Sequence, residues 1–147
     1  MVSSVKRWKT MAAAMLLLIA NTMIAVGPML LLLLGACMTT DNSDRTLQEL
    51  VNHMASSAGG VYSGKVFVPP VKAIDGVSMT VEGRDVFFYK YDLSLKKQRH
   101  KLDQIRKSKL LYINGIAFPA QINGCFVMIA HDTNLKKKEL ISAFESF

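Results

Sequence analysis

The sequence predicts an α+β domain: about three helices against a small mixed or antiparallel sheet, behind an N-terminal apolar signal or anchor helix. Three observations carry that expectation. Apolar residues recur at helical spacing in segments 47–54 and 140–144. β-branched and aromatic residues fill runs near 77–91 and 110–129. Asn-Gly stands between apolar runs at 114–115 and 123–124, and this pair tolerates the positive φ that a two-residue hairpin turn requires.

The average composition, 50% hydrophobic with a net charge of +7, blends two unlike parts. Met11 to Met38 contains 28 residues, 23 of them apolar and none charged, and every charge before it is positive: Lys6, Arg7 and Lys9. After Cys37 there are 15 basic and 11 acidic residues, a balance of +4, spread over 110 residues from Met38. That is enough for one small domain with a single core. Met11 to Ala36 would make a helix of about 39 Å, against a hydrocarbon thickness of about 30 Å, so a tilted span fits. Gly27-Pro28 interrupts the run, and proline breaks helical hydrogen bonding. The remainder, Met29 to Ala36, has the length of a secretory signal core.

Leu34-Gly35-Ala36-Cys37 resembles a bacterial lipobox: an aliphatic residue, two small residues and a cysteine. The resemblance covers the first 37 residues. It implies diacylglycerol on the Cys37 thiol, cleavage before it, and attachment to membrane lipid, which two or more acyl chains make firm. An uncleaved N-terminal anchor is the other outcome this stretch allows. In both, Lys6, Arg7 and Lys9 stay inside and the domain lies on the extracytoplasmic side of the cell membrane. The expected organisation is therefore signal or anchor over 1–37, tether over 38–43 and exported domain over 44–147.

Within the domain, Leu47, Leu50, Val51 and Met54 share one helix face. Thr46 and Glu49 have capping-box spacing, and Gly59-Gly60 ends the helix. His53 flanks the stripe, with no other ligand nearby at metal spacing. Val66-Phe67-Val68 suggests a short strand stopped by Pro69-Pro70. Val77, Met79 and Val81 alternate with polar residues, Glu82 to Asp85 turns the chain, and Val86 to Tyr91 returns as a strand. Val86, Phe88 and Lys90 take one side and Phe87, Tyr89 and Tyr91 the other, so an inner strand is expected, with the aromatics in the core.

The segment from Lys96 to Lys109 holds seven basic residues (Lys96, Lys97, Arg99, Lys101, Arg106, Lys107 and Lys109) and one acid, Asp103. Asp92 or Ser94 is placed to cap a helix here, and Leu95, Leu102 and Ile105 form a narrow apolar stripe. A solvated basic face is one outcome. A patch for anionic envelope polymers or lipid headgroups is the other. Lys136-Lys137-Lys138 is a second basic cluster.

Further on, Asn123-Gly124 joins Ala120-Gln121-Ile122 to the run Cys125 to Ile129. If Asn114-Gly115 also turned a hairpin, Pro119 would fall in a central strand, so Pro119 is expected to begin its strand or sit at a bulge. Asp132 or Asn134 is placed to cap a last helix that buries Leu140, Ile141 and Phe144. From Val86 on, the order strand, helix, proline-led strand, hairpin, helix resembles the C-terminal half of a thioredoxin-like domain over roughly 60 residues. The redox pair of that family, Cys-x-x-Cys, is missing. The resemblance thus implies a redox-inactive module that offers the Pro119 edge to a partner.

No constellation for catalysis appears. Cys125 stands in an apolar strand, as buried thiols do, and adjacent His131 and Asp132 point apart at a strand end. No phosphate-binding glycine loop, HExxH or GxSxG motif is present. A binding or accessory role is expected, not an enzyme. No cofactor, metal or nucleic acid is expected, and the partners expected are membrane lipid through Cys37 and an envelope protein or anionic polymer.

Overall fold

A computed structural model describes residues 41–147. The lipobox-like segment Leu34 to Cys37, the apolar stretch before it and the first part of the expected tether lie outside the described residues.

The first helix, α1, spans Leu47–Ala58. The Thr46 hydroxyl accepts from the Glu49 amide at 3.2 Å, and the Glu49 carboxylate accepts from the Thr46 amide at 2.6 Å. Two of the orphan donors at this helix start are thereby satisfied. Gly59, at φ +73°, closes the other end.

Six strands follow the helix: β1 (Val61–Lys65), β2 (Asp75–Val81), β3 (Arg84–Lys90), β4 (Leu110–Ile113), β5 (Ile116–Asn123) and β6 (Phe126–Ile129). Between them come helices α2 (Lys96–Ser108) and, last, α3 (Lys137–Glu145). The sheet order is β1-β2-β3-β6-β5-β4, and each of its pairs is antiparallel. The α+β class and the three helices are as the sequence predicts, and the sheet is the antiparallel form. The thioredoxin-like arrangement is not formed: β3 lies beside β6 with no parallel pair in the sheet.

Strand alternation explains the two cores. Val77, Met79, Val81, Val86, Phe88, Phe126 and Met128 point to the side where α1 and α3 pack, with Leu50, Met54, Leu140 and Phe144 among the cover. Tyr89, Tyr91, Val127 and Ile129 point to the other side, where Leu102 and Ile105 of α2 cover them. The Tyr91 hydroxyl, at the centre of this second core, donates to Val71 O at 3.0 Å.

Three turns set the register. Glu82-Gly83 and Asn114-Gly115 each have positive φ at both central residues, the type I′ pattern that matches strand twist. Asn123 pairs with Phe126, so the third turn is centred on Gly124-Cys125, with glycine in its first place at φ +57°.

Asn114-Gly115 therefore turns a hairpin as an Asn-Gly pair, whereas Asn123 is the last residue of β5 and the other turn is shifted one place on, to Gly124-Cys125. Pro119 lies inside β5. It is tolerated because β5 changes partner there. Residues 116–119 pair with β4, and residues 120–123 pair with β6. A missing N–H costs little where one ladder ends and the next begins.

Further local expectations differ from the structure. Neither Asp132 nor Asn134 is the N-cap of α3, which is Lys136. The first outer strand is Val61–Lys65, and Phe67 is exposed beyond it. Neither Asp92 nor Ser94 caps α2, because the Asp92 carboxylate accepts from Ser94 instead. Leu95, at the N-cap of α2, is 50% exposed. The tether assigned to 38–43 is bound at its described end. The Asp41 carbonyl accepts from the Cys125 amide at 2.7 Å, Asn42 Nδ2 donates to Asn123 Oδ1 at 3.1 Å, and Lys90 Nζ donates to Ser43 O at 3.0 Å. The Arg45 guanidinium lies 4.0 Å from the Phe147 ring centre. Among the described residues, Asp41 to Ser43 are thus already bonded to the domain, ahead of residue 44.

Candidate anion-binding surface

The basic stretch forms α2, one face of which is buried by Leu102 and Ile105. At 3.6 residues per turn, Lys96, His100 and Lys107 fall along the outer crest. Arg99 and Arg106 take one shoulder, Lys97 and Lys101 the other. Lys96, Lys97, Arg99, Arg106, Lys107 and Lys109 are exposed, and Lys101 is half-buried. Arg106 and Lys107 suit the negative end of the helix dipole, whereas Lys96 and Lys97 oppose its positive end. Lys109 terminates the helix in the left-handed conformation, its amide bonded to Ile105 O at 2.7 Å.

Arg106 pairs with Asp103 at 2.7 Å. Among the described residues no carboxylate lies within ion-pair distance of the other six basic side chains. A helix holding this much uncompensated positive charge leaves it available to anions.

Two shallow grooves extend the surface. One, about 460 Å³, lies between α2 and β4 and is lined by Lys101, Gln104, Lys107, Ser108 and Tyr112. The other, about 450 Å³, lies at the start of α2 and is lined by Lys72, Ala73, Leu95, Lys96 and Lys97. Lys72 and Tyr112 were not expected at the surface that α2 presents. They come from the turn after Pro69-Pro70 and from an outer strand, and only the tertiary fold places them beside it.

The second basic cluster is not joined to the first. Lys136 pairs with Glu82 at 2.9 Å, and α3 packs on the opposite side of the sheet from α2. The remaining reactive residue types are also dispersed. Cys125 is buried, its thiol donates to Asn42 O at 3.3 Å, and burial pushes its pKa up to about 11. His53 lies with its Nε2 2.9 Å from Ala143 O. His131 is buried with Nδ1 unpartnered. No three His, Cys, Asp or Glu side chains among the described residues are placed to hold a metal ion. Nor, among the described residues, is any helix long and apolar enough to cross a membrane.

No family model matches the chain, and no curated protein or solved structure matches it.

Proposed function

We propose that this chain is an extracytoplasmic lipoprotein, fastened to the cell membrane through Cys37, whose domain binds anionic envelope polymers along α2. The observation that carries the binding role is the set of six exposed or half-exposed basic side chains, five on α2 and one at its C-cap Lys109, without an ion-pair partner among the described residues. The lipobox-like Leu34-Gly35-Ala36-Cys37 supports the attachment. The role is binding rather than catalysis, and it uses no cofactor.

Two measurements test the two halves. Cys37→Ser abolishes labelling by a fatty-acid analogue, and labelling that persists at the wild-type level removes the lipoprotein half. Binding to an anionic polysaccharide such as heparin weakens steeply as salt rises, because screening acts on exposed charges. It also weakens in the Arg99→Ala, Arg106→Ala, Lys107→Ala variant. Binding that is absent, or indifferent to salt and to these substitutions, removes the anion-binding half.

A further inference from the structure

We propose that the corner formed by Lys72, Ile74, Leu95, Lys96 and Lys97 is a bilayer-seating surface that rests on anionic lipid headgroups. This deepens the proposed lipoprotein reading and rests on it.

The first argument is covalent reach. Only Met38, Thr39 and Thr40 stand between Cys37 and Asp41, so their links extend at most about 14 Å. Asp41 is itself part of the fold, bonded to the Cys125 amide at 2.7 Å. Whatever adjoins Asp41 is therefore held close to the surface that carries the anchor, whether the anchor is a lipid on Cys37 or the uncleaved apolar stretch.

A short path of hydrogen bonds identifies what adjoins it. The Cys125 carbonyl accepts from the Tyr91 amide at 3.0 Å, and the Lys90 carbonyl accepts from the Ile74 amide at 2.9 Å. The Asp92 amide donates to Gln98 in the first turn of α2 at 2.6 Å. The same sheet end thus gathers Asp41, Ile74 and the start of α2.

The chemistry of this corner suits a membrane interface. Leu95 and Ile74 are large apolar side chains left 50% and 46% exposed. Lys72, Lys96 and Lys97 surround Leu95 in one groove, and none of the three has an ion-pair partner among the described residues. Apolar side chains that enter the headgroup layer, flanked by lysines that meet anionic phosphates, are the recognition elements of a peripheral surface. Lys72 and Lys96 would lose about fivefold each in headgroup attraction on neutralisation, the Boltzmann equivalent of a typical juxtamembrane basic residue.

The test uses the full chain in vesicles of phosphatidylcholine with or without phosphatidylglycerol. Leu95→Cys carries a fluorophore, and Tyr112→Cys carries the same label as a distal reference. With phosphatidylglycerol present, the label at 95 is quenched by brominated lipid and protected from aqueous iodide, while the label at 112 stays open to iodide. Removing phosphatidylglycerol, or combining Lys72→Glu, Lys96→Glu and Lys97→Glu, returns position 95 to iodide while the chain still floats with the vesicles. A floating chain whose position 95 is open to iodide in anionic vesicles overturns the seating surface but leaves the anchor intact. Equal lipid quenching with and without phosphatidylglycerol overturns the headgroup recognition. A chain that does not float overturns the anchor reading itself.

Discussion

The amide of Cys125 donates to the carbonyl of Asp41 at 2.7 Å. The partners are far apart in sequence, and their bond ties the start of the folded unit to the β5–β6 turn. Beside it, a Cβ placed on Gly124 would lie 2.3 Å from Asp41 O. The absence of a side chain at 124 is what lets the entering segment lie across the turn.

Gly124→Ala therefore meets two penalties. An L side chain at φ +57° costs about 1–2 kcal/mol, and the new methyl displaces Asp41. We expect a total loss of about 2–4 kcal/mol in chemical denaturation, together with faster thiol labelling as Asn42 lifts from Cys125. Gly115→Ala, at φ +84° with open space around it, carries only the backbone penalty and leaves Cys125 protected.

Asn134 joins two elements. Its buried side-chain amide donates to Val81 O at 2.8 Å, and its Oδ1 accepts from the Lys136 amide at 2.9 Å, just before α3. Asn134→Ala leaves a buried carbonyl and a helix-entry amide unpaired, which costs about 2–3 kcal/mol. Urea unfolding measures it, and Asn134→Asp recovers the bond to Lys136 but not the bond to Val81.

Burial raises the Cys125 pKa from 9.0 to about 11. The unfolded chain ionises first as alkali is added, so this stability contribution is complete below pH 9, falls as pH rises, and is lost by about 11. Alkylation of the native protein at pH 8 proceeds only on unfolding. In Cys125→Ala, the part of the alkaline decline between pH 9 and 11 that belongs to the thiol disappears.

His131 titrates in the opposite sense. Burial lowers its pKa from 6.5, Asp132 opposing the shift and Lys137 adding to it. The unfolded chain then takes up a proton that the folded chain refuses. Stability is full above pH 6.5 and is lost as pH falls through the lowered value. Comparison of melting temperatures at neutral and mildly acidic pH shows a larger acid loss in the wild type than in His131→Phe.

In the segment from Lys96 to Lys109, Asp103 is the one acid amid seven basic residues, and its pair with Arg106 is half exposed to water on both sides. Such pairs are worth under about 1 kcal/mol. Asp103→Asn leaves stability nearly unchanged and raises the salt concentration needed to elute the chain from heparin.

Elements that depend on local contacts were legible in the sequence. The Thr46–Glu49 box and the alternation in β3 act within a few residues and form as their spacing predicts, and the turn expected over Glu82 to Asp85 is present but tighter, with Arg84 and Asp85 already in β3. β1 is not legible because Val61-Tyr62-Ser63-Gly64-Lys65 has no apolar alternation, and its ladder partner β2 is distant in the local pattern. Pro119 was misplaced because tolerance for it comes from a change of neighbouring strand, which no local pattern records. The basic residues of α2 could be identified from composition. Lys72 and Tyr112 could not, because their proximity to α2 is created by tertiary folding. The bonds that bring Asp41 to Ser43 into the domain are also long-range, and a polar segment with no apolar pattern reads as a free tether.

The exchange of neighbours along β5 also divides the sheet into regions of unequal endurance. Between Leu110 and Pro119 the outer hairpin bonds only to itself in the ladder, and α2 is the layer that covers it. It can peel away with a fraction of the cost of opening β3 against β6. In deuterated solvent, the amides of Leu111 and Ile113 should lose their protons well before those of Phe88 and Val127, so that the molecule comes apart from the β4 margin inward.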